Sequence, residues 1–118
     1  ALMAALPRQV AHAQAHAPAF AAILQGVDAA SVNSRQALAA LPVTRKYELL
    51  ARQQEHRATD VFGGFSAVRF GDQMPRVFAS PGPIYEPEGT ARDYWRMARA
   101  IFAAGFRRGG GVLTETDL

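Results

Sequence analysis

Cysteine is absent from this 118-residue chain, which excludes disulfide scaffolds, thiolate zinc clusters and thiol nucleophiles. Lysine is nearly absent as well: Lys46 stands alone against 12 arginines. Guanidinium does not deprotonate in the accessible range, so this choice of base sets the sequence pI of about 10. The net charge is only +3, which is no strong positive field. Long apolar runs are missing too, because Pro7, His12, Gln14, His16 and Pro18 interrupt the richest stretch well short of the roughly 20 residues that span a bilayer. No basic segment followed by an apolar stretch and a cleavage site opens the chain. The expectation is a cytoplasmic protein with no membrane partner.

What is present suits a folded chain. Hydrophobic residues make up 49% and charged ones 19%, unlike a disordered tail. The length is that of one ordinary domain. Residues 1–57 read as helical, 58–89 as strands and loop, 90–109 as a helix and 110–118 as a tail. The fold class is α/β, or α+β for the piece taken by itself.

Alanine-rich residues 2–24 predict helix, with Val10, Phe20, Ile23 and Leu24 as the larger apolar groups. Pro7 suits a first turn, and Pro18 predicts a kink or break at Ala17. Gly26 is placed as a left-handed end. Ser34 caps a short helix over residues 35–40, closed by Pro42, and Thr44 caps another over 45–54 with Tyr47, Leu50 and Ala51 on its apolar side. Gly63-Gly64 is a turn signal. Residues 65–70 alternate as a short strand, and a second strand follows over 76–80, the two being a hairpin or parts of a larger sheet. Residues 80–89, dense in proline and glycine, read as a loop. Thr90 caps a helix over 91–104, with Tyr94, Trp95, Met97, Ile101 and Phe102 as core and Arg92, Arg96 and Arg99 on the opposite side. Gly105 ends that helix, and Val112-Leu113 could start a strand.

The order of these pieces resembles the N-terminal part of phenylacetate–CoA ligase-type enzymes, members of the adenylate-forming acyl-CoA synthetase (AMP-binding) superfamily. Leu41-Pro42-Val43-Thr44-Arg45-Lys46 is similar to that family's Leu-Pro-x-Thr-x-Lys element. Phe62-Gly63-Gly64-Phe65 stands where relatives have a short aromatic-glycine segment. Arg76-Val77-Phe78-Ala79-Ser80 resembles the strand feeding the phosphate loop, and Tyr94-Trp95 through Gly109 resembles the helix after it. The stretch from Val10 to Pro18 is similar to the opening helix.

The resemblance implies the N-terminal fragment of an ATP-dependent acyl- or aryl-CoA ligase. Such an enzyme activates a small carboxylic acid as an acyl-adenylate, using ATP and Mg²⁺, and passes the acyl group to coenzyme A. It also implies a phosphate-loop equivalent at Ser80, Gly82, Pro83, Ile84, Tyr85 and Glu86. Catalytic residues would lie in the remainder of the enzyme, so the fragment itself is expected to be inactive. The loop departs from the family's Ser/Thr/Gly-rich run ending in Lys-Pro: Pro81, Pro83, Ile84 and Tyr85 replace hydroxyl and glycine positions, and Glu86 stands where lysine is expected. Proline removes amide donors and a carboxylate repels triphosphate, so tight nucleotide binding by the fragment is not expected.

The remaining polar clusters have simpler readings. His12 and His16 share a helix face, but no Glu lies between them and no third ligand is near, so no metal site is assigned. His56 has no nucleophile constellation around it. Arg92, Arg96, Arg99, Arg107 and Arg108 lack an aromatic platform or clustered basic run, which argues against nucleic-acid binding. The alternative to the ligase reading is a non-enzymatic binding or assembly module, a homo-oligomer formed through the 91–104 helix.

Overall fold

In the computed structural model, residues 2–107 are described. They form five α-helices, a short 3₁₀ turn and one antiparallel strand pair, a mixed α+β arrangement. Among the described residues no helix is long and apolar enough to cross a membrane.

The chain opens with α1 (Leu2–His16) and α2 (Pro18–Ile23), parted at Ala17, whose φ of −121° and ψ of 103° are extended. A residue preceding proline is driven from the helical region, and Pro18 itself sits at the start of α2, where a missing N–H costs nothing. Pro7 departs from its expected place: α1 already begins at Leu2, so Pro7 lies inside the helix, where it has no N–H to give the carbonyl a turn earlier. Gly26 turns the chain with φ +79°. The Asp28 carboxylate then accepts from the Ala30 N–H over the 3₁₀ turn Ala29–Ser31. Ser34 Oγ accepts from the Ala37 N–H and starts α3 (Arg35–Ala39). Val10, Leu24 and Val32 are buried together, with Phe20, Ile23 and Leu41 packed around them. Each large side chain so buried contributes about 1.5–3 kcal/mol. Gln14 Nε2 donates to the carbonyls of Leu24 and Val27, tying α1 to the turn after α2.

The next helix, α4 (Lys46–His56), starts one residue later than expected. Arg45, not Thr44, is the boundary residue, and its N–H donates to Glu48 Oε2 at 2.7 Å, so the acidic group of the first turn serves as the reciprocal cap. The inward face also differs from the expected one. Tyr47 and Ala51 are exposed, whereas Leu49 and Leu50 are half-buried and Gln53 is 1% exposed. After α4, the Asp60 carboxylate accepts from the N–H groups of Phe62 and Gly64. This holds the Gly63-Gly64 turn, where both residues have positive φ.

The strand expected over residues 65–70 does not form. Ser66 Oγ donates to the Val68 carbonyl and accepts from the Val68 N–H, satisfying locally the groups a ladder would need. Strand β1 (Arg76–Ser80) forms where expected, but it pairs forward: its partner is β2 (Ile84–Glu88), lying within the stretch that reads as loop. Pro81-Gly82-Pro83 supplies the turn.

The long helix over residues 91–104 is also absent in that form. Only α5 (Ala98–Ala103) is helical, and it begins after Met97, not at a Thr90 cap. Asp93 and Arg96 adopt φ of +53° and +57°, which breaks any helix before them. Asp93 accepts the Arg96 N–H with its carbonyl and the Ala98 N–H with its carboxylate. The consequence is twofold. Arg92, Arg96 and Arg99 do not share one helical face, and the arc assigned to the core is largely uncovered, with Trp95, Met97, Ile101 and Phe102 exposed. Gly105 still ends the helix, at φ +97°. Arg108 and Val112-Leu113 lie outside the described residues.

Candidate functional site

The six residues singled out by resemblance lie on one hairpin. Ser80 ends β1, Gly82 and Pro83 make the turn across a cis peptide bond, and Ile84, Tyr85 and Glu86 begin β2. Ile84 is buried and Glu86 exposed. Tyr85 is the fixed point. Its N–H donates to Gln53 Oε1 at 2.9 Å, and its carbonyl accepts from Gln53 Nε2 at 2.9 Å. The Arg57 guanidinium stands 5.5 Å from the centre of the Tyr85 ring.

A phosphate cradle needs several convergent N–H donors. Pro81 and Pro83 have none, and the Tyr85 N–H is spent on Gln53. The tip therefore offers the Gly82 N–H and the Ser80 hydroxyl, with the Glu86 carboxylate on the neighbouring strand. These residues do not fit a triphosphate. Among the described residues no group of three His, Asp or Glu side chains is placed to hold a metal ion.

Beside this hairpin lies a cleft of about 400 Å³, within the size range of small-molecule sites. Its walls include Phe62, Phe65, Tyr85 and Trp95, with His12 and Glu86 as polar groups among the lining residues. Phe62 and Phe65 arrive there because the Gly63-Gly64 turn is wedged between two helices. The Ala19 N–H donates to the Gly64 carbonyl, and Arg52 Nε donates to the Gly63 carbonyl. His12 stacks on His16 with ring centres 4.2 Å apart.

Comparison of the chain with protein-family models, curated proteins and solved structures gives no match.

A second cluster fixes the strand ends. The buried Glu88 carboxylate takes Arg76 Nε and Nη2 on Oε1 and Trp95 Nε1 at 3.0 Å on Oε2. Gly89 sits under the Tyr94 ring, where a Cβ would come within 2.8 Å of Cε2. Tyr85 and Glu86 are among the residues the resemblance singles out, Phe62 and Phe65 belong to its aromatic-glycine segment and Trp95 to the expected core, whereas Gln53 and Glu88 have no role in the sequence reading. Gln53 and Tyr85 are 32 residues apart, and no local spacing announces a glutamine that bonds a distant backbone.

Proposed function

We propose that this chain is the N-terminal part of an ATP-dependent acyl- or aryl-CoA ligase of the phenylacetate–CoA ligase type. The observation that carries the reading is a juxtaposition: the segment resembling the phosphate loop, Ser80 to Glu86, borders an aromatic-walled cleft. An aromatic or short acyl group suits walls of Phe62, Phe65 and Trp95. The hairpin is a positional equivalent of the phosphate loop. On this reading ATP, Mg²⁺ and coenzyme A are held by other parts of the enzyme, because the hairpin tip is poor in N–H donors. The test is ATP–pyrophosphate exchange by the intact enzyme this reading requires, across a panel of aryl and short acyl acids. Exchange with one of them is expected. No exchange with any acid, together with no ATP binding by calorimetry, sinks the reading.

The second reading, a non-enzymatic self-associating module, is favoured by the exposed apolar groups Trp95, Ile101 and Phe102. Size-exclusion chromatography of the chain alone tests this second reading, because a clean monomer counts against assembly, whereas a dimer leaves the ligase reading untouched.

A further inference from the structure

We propose that the edge of β1 left unpaired among the described residues is a strand-addition site, and that its occupant is β1 of a second copy of this chain. The inference goes beyond the ligase reading and does not depend on it.

The two edges of the hairpin are treated differently. In an antiparallel pair, opposed residues alternate between those that exchange hydrogen bonds and those whose N–H and C=O point away from each other. Tyr85 bonds Gln53 with both its backbone groups, so Tyr85 and its partner Ala79 are of the second kind. Val77, opposite Pro87, is in the same phase. The outer edge of β2 is thus closed, by the Gln53 amide at Tyr85 and by the missing N–H at Pro87. On the other side, Val77 and Ala79 turn their N–H and C=O outward. Neither N–H has a partner among the described residues, and residues 76–79 are all exposed. Exposed edges are ordinarily blunted by charged side chains, proline or a bulge; β1 has neither proline nor bulge, and its one charge is Arg76 at the strand end.

The edge is self-complementary. A two-fold axis through Phe78 makes Val77 exchange both hydrogen bonds with Ala79 of the second copy, giving a four-stranded antiparallel sheet. Phe78 then faces Phe78 across a non-hydrogen-bonded position, where side chains approach most closely. The only charged residue of β1, Arg76, is neutralised by Glu88. The axis places the two arginines at opposite ends of the seam, about 14 Å apart at ~3.4 Å per residue, beyond a Debye length of about 10 Å. Charge therefore does not oppose the pairing.

The experiment uses the full 118-residue chain: light scattering after size exclusion from micromolar to millimolar concentration, with hydrogen exchange of the Val77 and Ala79 amides. The expected result is a doubling of mass with concentration, and slowed exchange at those two amides in step with it. Val77→Pro deletes an N–H that β2 does not use. It is expected to leave circular dichroism unchanged and the chain monomeric. A monomer at every concentration with free exchange at both amides overturns the proposal and leaves the edge to a strand of another polypeptide. A dimer with Val77 and Ala79 still exchanging freely also overturns it, and assigns assembly to the apolar groups of the α5 region. That readout needs only the wild-type chain, so the result stands even if Val77→Pro fails to fold.

Discussion

At the scale of single residues, two polar side chains hold the hairpin. Gln53 is fully buried and serves both backbone groups of Tyr85. Gln53→Leu keeps the volume but orphans an N–H and a carbonyl, each costing about 1–3 kcal/mol when buried. A loss of roughly 3 kcal/mol is expected in urea unfolding, with Gln53→Glu no milder, because its second oxygen cannot donate to the Tyr85 carbonyl and an unpaired charge would be buried. Glu88 is the second. Its Arg76 partner has a side chain 67% exposed, so the Coulomb part is screened, and the hydrogen bond from Trp95 matters more. Glu88→Ala is expected to cost about 1–2 kcal/mol and to red-shift the emission of Trp95, the single tryptophan. Glu88→Gln, which retains an acceptor for the indole, should shift it less. Neither role shows in the sequence. Glutamine and glutamate on an exposed-looking pattern read as surface, and only the tertiary fold reveals what they meet.

At the scale of elements, the glycine turn between α4 and the hairpin is the most constrained joint. A Cβ on Gly63 would lie 2.9 Å from the Gln53 nitrogen and 3.0 Å from the Arg52 carbonyl carbon, both backbone atoms that cannot move aside. Gly26 has a similar left-handed φ but open space around it. Gly26→Ala should therefore cost only the conformational strain, about 1 kcal/mol. Gly63→Ala should cost clearly more, in the range above 2 kcal/mol typical of clash in a packed site. Parallel thermal melts of the two variants check the difference. The turn itself is legible, as are the break at Pro18, the Ser34 cap, the two helices it separates and the strand over 76–80, because each depends on local stereochemistry. The strand at 65–70 and the helix at 91–97 are misread for a shared reason. Ser66 and Asp93 bond their own neighbouring backbone, and that competition has no signature in hydrophobic periodicity.

For the whole molecule, the packing is uneven. The radius of gyration is 16.9 Å, against about 13 Å for a compact domain of roughly a hundred residues. The buried cluster lies among the N-terminal helices, while Ile101 and Phe102 of α5 stand 47% and 60% exposed. Replacing both by glutamine is expected to change unfolding free energy by no more than about 0.5 kcal/mol and to reduce binding of a hydrophobic dye such as ANS. A large loss of stability would mean that this helix is covered after all. The candidate site is half-legible for the same reason: its loop is written in consecutive residues, but its walls come from four separated segments.

The bond between the two halves has a further consequence. Tyr85 is flanked two residues before and two residues after by Pro83 and Pro87. A strand that slips along its partner keeps its side chains on the right faces only in steps of two. Either such step would bring a residue without an N–H opposite the Gln53 oxygen. The glutamine thus works as a gauge set in α4, with a single tooth on β2 that it can engage, and it admits one placement of β2 along α4 out of the three that side-chain alternation alone would allow.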